Sequence, residues 1–138
     1  MSIATIFAHV SCGDIEVSAR WYEKLFDRQP IRRSARGLVE WGFSESAEVQ
    51  LCEEKEHAGH RRLTLGVLPL EPERERLVAA GLEPGPIEET EGYFVMRICD
   101  PDGNLIVFAS ARRVSQRTLV LGHFVSSRLF RVGCRESA

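Results

Sequence analysis

Residues 3–11 are dense in apolar and β-branched positions and give way to Gly13-Asp14, the pattern of a strand followed by a helix N-cap. From there Ile15, Ala19, Tyr22 and Phe26 recur at i, i+4, i+7 and i+11. This is one face of a helix that ends near Asp27, with Trp21 and Leu25 widening the stripe. Three short strand-like pieces follow, at 29–31, 37–41 and 48–52, separated by polar segments such as Ser44-Glu45-Ser46. Residues 53–61 are charged and predict a connector.

The pattern then begins again. Residues 62–67 predict a strand, and Glu71-Pro72-Glu73 opens a second helix, with proline in its first turn and acids near the positive end of the dipole. Leu77 and Val78 give that helix an apolar side, and Gly81 stands where a left-handed C-terminal cap belongs. Strand-like pieces at 86–88, 93–99 and 105–109 complete the copy. The expected fold is α+β: two βαβββ modules, about 1–54 and 60–110, forming a curved, cup-shaped mixed sheet with the helices outside. Side-chain alternation then separates a helix-facing side from a cavity-facing side.

A chain of 138 residues has room for one such domain with its own core, and its 43% apolar and 28% charged content is that of a globular protein. Its apolar runs fall well short of the ~20 residues that cross a bilayer. Its first residues show no basic region ahead of an apolar stretch, so the expected setting is cytoplasmic, with no membrane partner. Cys12, Cys52, Cys99 and Cys134 are scattered and are expected as reduced thiols. Residues 1–109 hold 12 basic and 19 acidic side chains, whereas 110–138 hold six arginines and one glutamate. The acidic body speaks against a nucleic-acid partner, since phosphate contacts need a basic face. Residues 111–138 form a basic extension in which apolar residues and arginines mix; a docked strand or helix, an anion-binding arm and a disordered tail all remain open.

Asp100-Pro-Asp-Gly-Asn104 lies between two strands, with proline setting φ early and Asp-Gly tolerating positive φ. Placed at the end of a second βαβββ module, it resembles the D-P-D-G-N segment before the last strand of vicinal oxygen chelate proteins: glyoxalases, dioxygenases and bleomycin-resistance proteins. Asp14-Ile-Glu-Val-Ser-Ala-Arg-Trp-Tyr22 resembles their first-helix pattern D-L-x-x-S-x-x-F-Y. The resemblance covers residues 1 to about 110. Metal-dependent members hold a divalent ion with one side chain from a strand in each quarter of the cup, leaving positions where substrate oxygens are polarised. The four matching positions are Phe7, Gln50, Arg62 and Val107. None is a typical ligand, so no metal and no cofactor are expected. His9 and His60 each lie two residues from such a position, so a displaced metal site stays open as an alternative.

The cup is expected to be lined by Phe7, His9, Gln50, Cys52, Arg62, Thr64, Leu105 and Val107, an apolar floor with a few polar groups, as small-molecule pockets have. Trp41 either joins that pocket as a stacking surface or belongs to the core. The resemblance implies a metal-free protein of the bleomycin-resistance type that sequesters a small organic ligand and pairs as a homodimer. Two other classes stand against it. One is an enzyme: a glyoxalase-like lyase or a dioxygenase with a displaced metal, or an isomerase using His9 as base. The other is a structural or regulatory module acting through dimerisation.

Overall fold

The computed structural model describes residues 1–112; His123, Cys134 and the remainder of the basic extension lie outside the described residues. The first module runs β1 (Ile6–Cys12), α1 (Ile15–Phe26), β2 (Arg32–Ser34), β3 (Leu38–Ser44) and β4 (Ala47–Glu53). The second repeats it with β5 (Arg62–Gly66), α2 (Leu70–Ala79), β6 (Glu88–Thr90), β7 (Tyr93–Cys99) and β8 (Leu105–Ala111). Each module forms its own four-stranded mixed sheet, in the orders β1-β4-β3-β2 and β5-β8-β7-β6. β1 pairs in parallel with β4 and β5 with β8, and every other pairing is antiparallel. The two modules meet along β1 and β5.

Local chemistry sets the ends of α1. The Asp14 carboxylate accepts the otherwise orphaned backbone N–H groups of Glu16 and Val17, at 3.0 and 3.1 Å. At the other end Asp27 takes the left-handed conformation, φ 50°, and its N–H returns to the Glu23 carbonyl. Between them Ser18, Ala19, Tyr22 and Leu25 are buried. Ile15 and Phe26 are partly buried against the same core. On α2 the buried residues are Leu70 and Leu77, whereas Val78 is exposed, so the expected apolar side holds at Leu77 and fails at Val78.

Alternation along the strands assigns the layers. Val10 and Cys12 of β1, Val39 and Trp41 of β3, and Val49 and Leu51 of β4 face the helices and form one core with Leu63, Met96, Ile98, Ile106 and Phe108 of the second sheet. The short second strand of each module begins later than the sequence predicts, at Arg32 rather than 29 and at Glu88 rather than 86. No residue of either strand is fully buried, and each is joined to its neighbour through backbone pairing, so no apolar signal marks its place.

The modules are held to one another by polar groups. In the Asp100–Asn104 turn, one carboxylate oxygen of Asp100 accepts the backbone N–H groups of Asp102 and Asn104, and the other accepts Tyr22 Oη at 2.7 Å. The fully buried Asn104 amide donates to the Ser11 carbonyl, 2.8 Å, and to Asp100, while its oxygen accepts the N–H of Arg61. Asp102 accepts the Gly13 N–H and the Ser18 hydroxyl, at 3.0 and 3.1 Å. Thus one turn joins the end of β1, the start of α1 and the entry to β5. Gly59 (φ 81°) passes so close to this turn that a Cβ would lie 2.4 Å from the Asp102 carbonyl oxygen. A second tie is Arg76 of α2, whose guanidinium donates to the Lys24 and Leu25 carbonyls at the C-terminal end of α1, where a cation is favoured by the helix dipole.

Cys12 and Cys52 carry free thiols, as expected.

Replacing Asn104 by alanine leaves the Ser11 carbonyl and the Arg61 N–H without their buried partner. An unsatisfied buried group costs about 1–3 kcal/mol, so urea unfolding of Asn104→Ala is expected to show a loss of that order or more, at an unchanged m-value.

Candidate functional site

Residues that point away from the helices make up the candidate site, and they fall on two floors. On the first sheet the strand register brings Phe7 opposite Glu48, His9 opposite Gln50 and Ser11 opposite Cys52, and sets Gln50 across from Glu40 and Cys52 across from Leu38. This floor is polar. Gln50 donates its amide to Glu40 Oε1 at 2.8 Å, and Arg32 donates to Glu40 Oε2 at 2.6 Å and to Glu48 at 3.0 Å. Glu40 is buried, yet these bonds, from Gln50 first and Arg32 second, hold its carboxyl below the usual range. His9 Nε2 lies 3.0 Å from Glu54 Oε2, which also accepts the Ser11 hydroxyl at 2.6 Å. The Ser11 and His9 bonds lower the Glu54 carboxyl in that order.

The second floor differs in character. Arg62 faces Leu105, Thr64 faces Val107, and Val95 faces Ala109. All of these but Leu105 border a cavity of about 520 Å³ lined by Arg62, Thr64, Val95, Val107 and Ala109, with Thr90, Glu91 and Tyr93 at its side. Val95 and Val107 are buried yet stand apart from the core cluster, as their facing requires.

Of the expected site residues, Phe7, His9, Gln50 and Cys52 therefore share the first floor, and Arg62, Thr64, Leu105 and Val107 the second. Trp41 joins neither. It is fully buried on the helix side, packs against Tyr22 and Phe26, and donates its indole N–H to the Arg28 carbonyl at 3.2 Å. Its place follows from alternation, since neighbouring Glu40 occupies the other face. His60 is exposed in the connector ahead of β5. Sequence reasoning missed Ser11, Glu40, Glu54 and Val95. Continuing the alternation from Phe7 and His9 to Ser11, and from Gln50 and Cys52 to Glu54, would have found two of them; Glu40 and Val95 needed the strand register.

The metal implied by the family does not fit the residues at its four positions. Phe7 and Val107 have no donor atom, Arg62 is itself a cation, and the Gln50 amide is engaged with Glu40. Among the described residues no group of three or more His, Cys, Asp or Glu side chains is placed to hold a metal ion. A second, apolar crevice of about 360 Å³ lies on the helix side, where Ile6, Ala8, Phe26, Phe43, Leu65 and Val67 converge.

No protein-family profile and no curated protein sequence matches the chain. Solved structures do. A glyoxalase/bleomycin resistance protein from Catenulispora acidiphila matches at 28% identity and a TM-score of 0.73, covering 79% of this chain and 99% of its own. A bleomycin-binding protein complexed with bleomycin matches at 17% identity and TM-score 0.67, over 78% of this chain and 98% of its own. The lactoylglutathione lyase of Agrobacterium tumefaciens matches at 14% and 0.66, over 78% and 92%. Paired βαβββ modules and this likeness show the fold of the vicinal oxygen chelate proteins. The chain's structural neighbours among them are the glyoxalase/bleomycin-resistance proteins.

Glu40 gives the first floor a pH signature. Its folded carboxyl lies below the ordinary value of 4.5, so its stabilising contribution is complete above about pH 4.5 and fades as pH falls through the lowered value. Urea midpoints of the native chain and Glu40→Gln are expected to differ near pH 7, with the variant weaker, and to converge near pH 3.

Proposed function

We propose that this chain is a metal-independent small-molecule-binding protein, holding an organic ligand against the inner faces of its sheets. The observation that carries this reading is the second floor, where an apolar cavity of about 520 Å³ occupies the place at which Arg62 and Val107 stand in metal-ligand positions. Its size is that of a small organic molecule, and Arg62, Thr64, Thr90, Glu91 and Tyr93 offer polar groups beside an apolar wall of Val95, Val107 and Ala109. The neighbour that holds bleomycin supports a binding role for such a face. Arg62 on the second floor favours an anionic or phenolic group there, whereas Glu48 and Glu54 make the first floor acidic.

Within this reading residues 1–110 are the binding domain and 111–138 a basic extension. The protein works as a cytoplasmic homodimer without a nucleic-acid or membrane partner. Among the described residues no helix is long and apolar enough to cross a membrane. The rival in which His9 acts as a base draws on one observation, its 3.0 Å contact with Glu54.

Two measurements test the proposal. Elemental analysis after incubation with zinc, nickel, manganese and iron(II) is expected to find no stoichiometric uptake; one metal per chain, lost in His9→Ala, overturns metal independence. Titration with the fluorescent probe 8-anilinonaphthalene-1-sulfonate is expected to saturate. Filling the floor with Val107→Trp should weaken the probe about tenfold or more, equivalent to about 1.4 kcal/mol. Unchanged affinity in that variant would remove the second floor from the site.

A further inference from the structure

The two free thiols of the first sheet face opposite ways. Cys12 points into the helix layer, is fully buried, and has its thiol pushed up to about 12, chiefly by burial. Cys52 points away from the helices to the first floor and is half-buried. Its Sγ lies 3.5 Å from Nδ1 of His9, and Nε2 of the same ring lies 3.0 Å from Glu54. Thiol, imidazole and carboxylate thus stand in the order that a nucleophile, its base and the group orienting the base require. With Nε2–H donating to Glu54, the Nδ1 lone pair is directed at the sulfur. The hydroxyl of Ser11 fixes the same Glu54 oxygen from the other side.

Parallel pairing of β1 with β4 builds this arrangement, because it sets Cys52 beside Ser11 and diagonal to His9, and lets Glu54 follow at the strand end. Charged and titratable groups approach the face from every neighbouring element: Glu48 from β4, Glu40 from β3, Arg32 from β2, and Glu54 and His57 from the turn after β4. Burial, followed by the nearby Glu54 and Glu40, raises the Cys52 thiol, so the sulfur keeps its proton near neutral pH and needs a base in order to attack.

We propose that the first floor is a covalent trap for small conjugated carbonyl compounds, in which Cys52 is the nucleophile, His9 its base and Glu54 the residue that positions His9. The Cys52 proton passes to Nδ1 of His9 as sulfur bonds to the β-carbon. The carbon–carbon π pair moves onto the carbonyl as an enolate, and the imidazolium returns the proton to the α-carbon. Nothing leaves, and no oxidant or further reactant is needed. A soft thiol and a soft unsaturated carbon suit one another, and addition closes its balance with the groups on this floor alone. The trap is independent of the reversible ligand assigned to the second floor.

The test uses the full chain and acrylamide, with adducts located by mass spectrometry of proteolytic peptides from about pH 5 to about pH 9. Cys52 is expected to react and Cys12 to stay unmodified under the same conditions. His9→Ala should slow the Cys52 reaction near pH 7 by about tenfold or more. The shape of the pH–rate profile at Cys52 should differ between the native chain and His9→Ala, the variant following the thiol's own ionisation alone. Glu54→Ala should slow the Cys52 reaction near pH 7, and Glu54→Gln, whose side-chain oxygen can still accept from Nε2–H, should recover part of the loss, as expected of a group that positions the base. An unchanged Cys52 rate in His9→Ala, or modification of Cys12 as fast as Cys52 in the native chain, overturns the proposal; the second outcome is read on the native chain, whatever the folding of the variants. Retained acrylamide selectivity in Val107→Trp separates this trap from the cavity of the second floor.

Discussion

A buried carboxylate, Asp100, anchors the junction between the two modules. Burial pushes its carboxyl upward, against the bonds it accepts from Asn104, Tyr22 and Asp102. Through these partners the turn reaches three other stretches of chain. Tyr22 is fully buried on α1, Asn104 reaches the end of β1 and the entry to β5, and Asp102 holds the first turn of α1. A polar group in a core is tolerated only when all its partners are in place, so the turn locks the geometry of everything it touches. This is why a five-residue segment carries so much of the fold: it is a joint between modules as well as a loop between β7 and β8.

The joint leaves both sheets free to present their other faces. Alternation then divides the labour of each strand between a shared apolar core and a floor with chemistry of its own. The two floors have diverged although they sit on repeated modules. One is a hydrogen-bonded network around Glu40 with an imidazole, a thiol and a carboxylate at its end. The other is a largely apolar cavity with Arg62 at its wall. Two residues illustrate the contrast: the Gln50 amide is bonded to Glu40, and Val107 is cavity wall.

The repeated architecture was legible because it rests on local signals. Asp14 and Asp27 mark α1 through capping, and Tyr93–Cys99 reads as a strand from its composition. The edge strands were misplaced because their residues have no apolar side to report. Floor residues were legible where the period of two could be run from a known position, as for His9, Cys52 and Thr64. Trp41 defeated composition, since a large aromatic suits a pocket and a core equally; only its neighbour in the register decides. The Asp100–Asn104 turn was legible as a turn, but its bonds to Ser11, Gly13, Ser18 and Tyr22 span 78 to 93 positions of chain and leave no local trace.

The sheets also terminate themselves. β2 and β6 are three residues each, and their outward rows read Arg-Arg-Ser and Glu-Glu-Thr. A short charged margin offers an incoming strand few free backbone groups and an unfavourable desolvation, which is how natural sheets resist adding strands from other molecules. The longer strands β1 and β5, which end the sheets on the opposite side, are turned toward each other. Among the described residues, two broad sheet faces can therefore stay open without an open seam along which identical chains would stack into fibres.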